Sequence, residues 1–290
     1  MTLALRRVAG IEYLDLVTSM LQRARLAVPY GGVWEAADLQ WWWRKDQHPD
    51  PARQIFWFVG DEPVAASVIT DWGDSFGWEL LSCANDLSDV IETVWAEAIE
   101  QIGPHLAHGV EVSVRDGDDV LGSLVSNAGF EPTGEVSIST WMRASDRPDV
   151  SALPQGFELT GRPDSQHLPH HLIARNGDRV AGFLAQCSLY RPELDLAVYA
   201  PNGDLAAYCL FWADPVTGVG LVEPMRTEIA YQQQGLGRHV LAAGLERLEQ
   251  LGCSRLKVMY VEGNEAARRL YLGAGFRPIS VTRSYSLRRP

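Results

Sequence analysis

Tyr231-Gln232-Gln233-Gln234-Gly235-Leu236-Gly237-Arg238 runs directly into His239-Val240-Leu241-Ala242-Ala243-Gly244-Leu245, and the reading of this stretch decides the rest. Before it, Gly220-Leu221-Val222-Glu223-Pro224-Met225 is a short, mostly apolar run of strand type. After it, Val240, Leu241, Leu245 and Leu248 recur at helical spacing. The order is strand, glycine-bearing loop, helix N-terminus. Such a junction aims free backbone N–H groups and the positive end of a helix dipole at one spot, which suits a phosphate. Gly235 and Gly237 let the backbone approach an anion with no Cβ in the way.

Outward from that loop, the second half of the chain alternates strands and helices. Phe157-Glu158-Leu159 starts it, and 194–200 with 205–212 form a hairpin about Pro201-Asn202-Gly203-Asp204. The strand at Gly220, the loop and its helix follow. Residues 256–261 read as a strand and 264–272 as a helix, which Ala274-Gly275-Phe276-Arg277-Pro278 ends. Residues 281–287 alternate as a last strand.

The first half has the same plan. A helical pattern holds Tyr13, Leu16, Val17, Met20 and Leu21. Two strands, 54–59 and 63–70, meet at Gly60-Asp61-Glu62, and 76–83 is a third. Asp86 or Ser88 caps a helix whose apolar residues include Val90, Ile91, Val94, Ala98 and Ile102. Residues 110–114 are a strand, 120–126 a helix and 135–142 a final strand. Trp41-Trp42-Trp43 cannot all face one way, so at least one ring is expected to stay partly exposed or line a pocket. Ala128-Gly129-Phe130-x-Pro132 matches Ala274-Gly275-Phe276-x-Pro278 about half a chain later, with the same element order around both. The chain is thus a tandem of two copies, 1–145 and 154–290, joined by a Pro-, Ser- and Asp-rich linker over 144–154.

Where the first copy should carry a glycine loop it reads Ala84-Asn85-Asp86-Leu87-Ser88-Asp89, with no glycine and two carboxylates. An anion would meet negative charge there, so the second copy is expected to carry the chemistry.

Composition excludes several classes. Hydrophobic content of 46% and charged content of 21% are those of a soluble globular protein. A net charge of −12 without a cluster of Lys and Arg argues against a nucleic-acid surface. No apolar run approaches the roughly 18 to 20 residues that span a bilayer, and no signal-peptide pattern opens the chain. The four cysteines, Cys83, Cys187, Cys209 and Cys253, form no C-x-x-C pair. Neither a metal site nor a disulfide framework is expected, and a reduced, cytoplasmic setting fits. Cys209 and Cys253 read as small core residues. His167, His170 and His171 either line an acceptor site or, with no acid partner evident, serve a loop.

The second half resembles the GCN5-related N-acetyltransferase (GNAT) superfamily. Its acetyl-CoA loop, Gln/Arg-x-x-Gly-x-Gly/Ala, is met by Gln232-Gln233-Gln234-Gly235-Leu236-Gly237. Downstream, Asn264-Glu265-Ala266-Ala267-Arg268-Arg269-Leu270-Tyr271 and then Gly275-Phe276 match a second family block. The whole chain is similar to two-domain members such as mycothiol synthase and related actinobacterial small-molecule acetyltransferases, in which one copy is degenerate. The resemblance implies an α/β fold of two GNAT-like domains, each a mostly antiparallel mixed sheet flanked by helices.

It also implies acetyl-CoA as co-substrate, with no metal, and a small-molecule primary amine as acceptor, attacked directly in a ternary complex. The protein would be a monomer or homodimer. Backbone N–H groups over Gln234, Gly235, Leu236, Gly237 and Arg238 would hold the CoA pyrophosphate, with Gln232 and Gln233 in the same loop. Met225 and Thr227 would bond the pantetheine and acetyl carbonyl through their backbone, one N–H serving as an oxyanion donor. Asn264, with Ala267, would contact the pantetheine arm, or else Asn264 caps its helix.

Tyr271 matches the family's general acid for the departing thiolate. Glu223, placed by strand alternation on the face of Met225 and Thr227, is the first candidate base, and Glu228 the second. Arg268 and Arg269 either reach the CoA phosphates or lie solvated, and Arg226 has no evident role. The three glutamines stand where relatives carry Arg or Lys, so backbone geometry must do most of the holding. The alternatives are a non-catalytic acyl-CoA-binding module and a transferase for protein N-termini or lysines.

Overall fold

The computed structural model describes residues 3–45, 54–83 and 87–289, with the side chains of 87–89 and Glu92 left aside. The caps expected at Asp86 or Ser88 and the acidic segment 84–89 therefore lie outside the described residues, except for the backbone from Leu87. The chain forms two compact units, Met1–Ser137 with Ser280–Pro290, and Ile138–Ile279. The division falls inside two strands, and residues 144–154 belong with the second unit.

In the first unit β1 (Ala4–Arg7), α1 (Gly10–Ala27) and α2 (Ala36–Trp42) precede three antiparallel strands, β2 (Gln54–Val59), β3 (Glu62–Asp71) and β4 (Phe76–Ser82). Then come α3 (Leu87–Gln101), β5 (Val110–Arg115), α4 (Asp119–Asn127) and the start of β6 (Glu131–Arg143). β4 and β5 run parallel, as a helical crossover between neighbouring strands demands. Residues 282–287 of the last strand, β12 (Arg277–Leu287), complete this sheet antiparallel to β5. Tyr285 and Leu287 thereby reach the core that holds Trp57, Trp78, Val94, Val112 and Phe130.

One expectation is corrected here. Trp41, Trp42 and Trp43 are all buried, at 2%, 7% and 7% exposure. The helix α2 is packed on several sides: Trp43 meets Tyr13 of α1, and Trp42 meets both Trp34 and Trp72. Adjacent rings pointing in different directions each find a wall.

The second unit repeats the order. β7 (Glu158–Gly161), two short helices α5 (Ile173–Asn176) and α6 (Val180–Leu184), and strands β8 (Asp195–Tyr199), β9 (Leu205–Asp214) and β10 (Val219–Thr227) come first. α7 (Leu236–Gln250), β11 (Arg255–Val261) and α8 (Glu265–Ala274) follow. β7 to β10 pair antiparallel and β10 pairs parallel with β11. The core face carries Cys209, Phe211, Val222, Val240, Leu241, Leu245 and Val258. Cys209 and Cys253 are buried free thiols in it, as expected. Gly244 is needed where Phe211 lies flat on α7, since a Cβ there would come within 2.0 Å of the ring.

The Ala-Gly-Phe repeat has a physical meaning. Gly129 and Gly275, at φ 90° and 112°, end α4 and α8 in the left-handed region, where L side chains are strained. The phenylalanine after each, Phe130 or Phe276, is then driven into its core. Among the described residues no helix is long and apolar enough to cross a membrane.

Candidate active site

The site begins where β10 leaves its parallel neighbour. Val219, Gly220 and Leu221 pair with Arg255, Leu256 and Lys257 of β11, and the ladder stops there. On the other side β10 keeps its bonds to β9, but the register shifts between Val222 and Met225. Pro224 lies in this bulge, as a proline without a ladder donor should. The Trp212 indole donates to the Glu223 carbonyl at 2.7 Å and pins the bulge.

Beyond the bulge the Glu228 N–H donates to Ala206 of the β9 side. Amides alternate sides along a strand, so those of Met225 and Thr227 face the side that β11 has vacated. The Thr227 carbonyl on that side accepts from the Gln232 side chain at 3.3 Å, which ties the loop to the strand.

The loop then turns into α7. Gln233 (φ 61°) and Gly235 (φ 82°) take left-handed conformations, and the first amide of α7 with a backbone acceptor is that of His239, on Gly235. Among the described residues the N–H groups from Gln233 to Arg238 find no acceptor in the chain. Gly237 sits against β10: a Cβ there would lie 3.1 Å from Thr227 Oγ1 and 3.6 Å from Met225 Cε. Sequence-distant Met225, Thr227 and the loop are thus brought to one place. It is a donor-lined cradle that a side chain at Gly237 would fill, and it fits a pyrophosphate.

Tyr271, on α8, is 8% exposed and packs edge-on to Phe276. Burial, and then the neighbouring Cys209 and Glu223, push its phenol well above the usual tyrosine range. It therefore keeps its proton at any ordinary pH, the state an acid needs. The same interaction shows Glu223 to be electrostatically close to Tyr271.

The route to Glu223 by simple alternation is corrected, however. Val222 and Met225 pair with Phe211 and Cys209, which share one face, so two residues stand in the bulge between them. The bulge, not the two-residue period, aims Glu223. Glu228 is held by two cations, accepting from Arg226 Nε at 3.0 Å and from Arg175 Nη2 at 3.3 Å. Arg226 thus acquires a role, as partner of Glu228.

At the start of α8 the Asn264 side chain accepts from the Ala267 N–H at 3.1 Å, a cap that leaves its amide nitrogen free for other contacts. Arg268 and Arg269 lie at the surface beside Glu265. His167 is exposed. His170 and His171 are buried on an acid partner that spacing did not reveal, Asp195 at the start of β8, with ring nitrogens 3.1 and 2.9 Å from its oxygens. Tyr190 donates to the same carboxylate at 2.8 Å. Burial would raise the Asp195 carboxyl, but His170 and His171 outweigh it and hold it well below the usual range.

The donor atoms of these three residues lie within 4.8 Å of one another, a metal-like separation. Yet His170 Nδ1 accepts the Leu172 N–H, which puts that ring's proton on Nε2. A protonated Nε2 has no lone pair to offer a metal. Cavities of about 710 and 310 Å³ lie elsewhere in the chain, so volume alone would mislead here. The splay and the unpaired amides mark the site.

Residues 138–276 match the family model described as acetyltransferase (GNAT) family. Solved structures similar over the full length include the following two. A tandem GNAT protein from the clavulanic acid biosynthesis pathway has 16% identity, a TM-score of 0.70, and 98% of each chain covered. A GCN5-related N-acetyltransferase from Sphaerobacter thermophilus has 14% identity and a TM-score of 0.65, with 99% of this chain and 96% of that one covered. No curated protein matches in sequence. At these identities the structures speak for the fold.

Proposed function

We propose that this chain, whose residues 138–276 match the GNAT family model, is an acyltransferase of the tandem GNAT type and moves the acetyl group of acetyl-CoA to a primary amine of a small molecule. Acetyl-CoA would supply the activated thioester. The observation that carries the reading is the meeting of three things in the second unit: a splayed strand, a run of unpaired loop amides, and a buried, protonated Tyr271 near Glu223.

Gln234 to Arg238 would hold the pyrophosphate by backbone N–H groups, with Gly235 and Gly237 giving room and Gln232 fixing the loop to Thr227. Amides of Met225 and Thr227 would orient the pantetheine arm and stabilise negative charge on the acyl oxygen. Glu223 would accept the proton of the attacking amine, and Tyr271 would give its proton to the leaving thiolate. Glu228 is less suited to meet the amine, because Arg226 and Arg175 already occupy its carboxylate oxygens.

The test is an amine panel incubated with acetyl-CoA and scored by free-thiol release, with product masses measured. Thiol release together with an N-acetyl product supports the reading. Saturable CoA binding with no transfer to any amine would make the chain a binding module instead.

A further inference from the structure

The first unit also contains a splayed pair of parallel strands. β4 and β5 pair at Phe76 with Val110, Gly77 with Glu111 and Trp78 with Val112, and then part. A cavity of about 710 Å³ opens along Glu79 and the residues after it and along Ser113 and Arg115, with Leu21, Val33 and Leu121 among its walls. That volume suits a small ligand.

Glu79 stands in it just past the last paired residue of β4. Its carboxyl is buried, and among the described residues no basic side chain pairs with it. It accepts from the Trp34 indole at 2.7 Å and bonds Ser113. Trp34 is itself fixed by its neighbours: Arg25 grips Glu35 and the Gly31 carbonyl, which sets the course of residues 28–35. Other charges face Glu79 without neutralising it. Asp38 of α2 adds like charge, and Arg25 is spent on Glu35. Asp116 pairs with Arg283 and Asp118 caps α4. Arg115, in the opposite wall, has a buried Nε with no acceptor. The cleft thus holds a carboxyl lacking a cation and a guanidinium N–H lacking an oxygen.

The second unit carries what the first lacks. Trp78 pairs with core-facing Ile69, as Val222 pairs with Phe211, so Glu79 and Glu223 follow equivalent residues. Asp118 accepts from Leu121 at the start of α4 as Asn264 does from Ala267 at the start of α8. Counting back from the two Ala-Gly-Phe ends, Val125 stands where Tyr271 stands. The first unit keeps the carboxylate and has lost the acid.

We propose that the cleft between β4 and β5 is a second, non-catalytic site for a small organic amine, its ammonium on Glu79 and an oxygen of the same molecule on Arg115 Nε. The proton balance follows from the chemistry. Burial, against the opposing bonds from Trp34 and Ser113, raises the Glu79 carboxyl to about 8. At neutral pH the free cleft holds the acid form. An arriving ammonium keeps its own protons and favours the carboxylate, so the Glu79 proton leaves to the buffer.

The experiment uses the full chain without acetyl-CoA. Ethanolamine and glucosamine are titrated calorimetrically near neutral pH in buffers of different ionisation enthalpy, beside their N-acetyl counterparts. The Trp34 indole signal, assigned with Trp34→Phe, is followed by NMR. The expected result is binding of the amines alone, release of up to one proton, and a shifted Trp34 signal. Glu79→Gln, which keeps shape and hydrogen bonding, should weaken binding at least about tenfold. Glu223→Gln should leave it unchanged, so this site can fail or hold independently of transfer. Three results would overturn the proposal: no binding by about 10 mM, binding indifferent to Glu79→Gln, or binding lost only in Glu223→Gln.

Discussion

The two units share a frame and differ in a few side chains. In each, a parallel strand pair parts after three paired residues, a carboxylate follows the parting, and the next helix opens on a side-chain cap and closes on a left-handed glycine. The second unit adds the glycine loop with unpaired amides and Tyr271; the first has Val125 in place of that phenol. The cleft is thus a property of the fold, whereas the proposed transfer rests on residues placed at its edge. A unit can lose one and keep the other.

The largest effect is expected at Gly237. A Cβ there would press on Thr227 Oγ1 at 3.1 Å, and a carboxylate would face the pyrophosphate in the cradle. Gly237→Glu should lower kcat/KM for acetyl-CoA by about a thousandfold, with the chain still folded by circular dichroism. Activity within a few-fold of the parent would remove the loop from the site. Next in size is Tyr271→Phe, which deletes only the phenol oxygen. An expected loss of about a hundredfold in kcat, with CoA affinity unchanged, is the mark of an acid. Equal losses in kcat and binding would make Tyr271 a packing residue.

The equivalent carboxylates of the two units should behave differently. Glu223→Gln should cost about a hundredfold in kcat and remove the acidic limb of the pH–rate profile. Glu79→Gln should leave kcat within about twofold, since the proposed transfer lies in the second unit. If the two variants behave alike, the assignment of transfer to the second unit fails.

Much of this was legible in the sequence. The strand, loop and helix around Gly235 and the repeat rest on local rules: glycine conformations and helical spacing. What the sequence hid was set by tertiary contact. Nothing near His170 and His171 in the chain announces Asp195, because the partner arrives on another strand. The aim of Glu223 depends on a register shift that alternation cannot foresee. The burial of three adjacent tryptophans depends on walls from three different segments. Glu79 carries no mark in the sequence, because its burial in a cleft follows from the parting of β4 and β5.

The smallest effect is a slope. In the unfolded chain Glu79 ionises near its ordinary value of 4.5, and in the folded unit near about 8. Below the lower value both states hold the proton and pH is without effect. Between the two only the folded state holds it, so each rise in pH lowers stability. Above the upper value both have lost it and the slope ends. The contribution is therefore full at acid pH and gone above about 8, with a limiting slope of about 1.4 kcal/mol per pH unit. Glu79→Gln has no proton to lose, so urea unfolding followed by tryptophan fluorescence should show the parent losing ground to the variant as pH rises through this window. Ethanolamine should flatten the parent's slope, because an ammonium in the cleft favours the carboxylate that burial otherwise forbids. Parallel curves for parent and variant would mean that Glu79 is solvated, and the first unit would then keep the shape of the cleft without its chemistry.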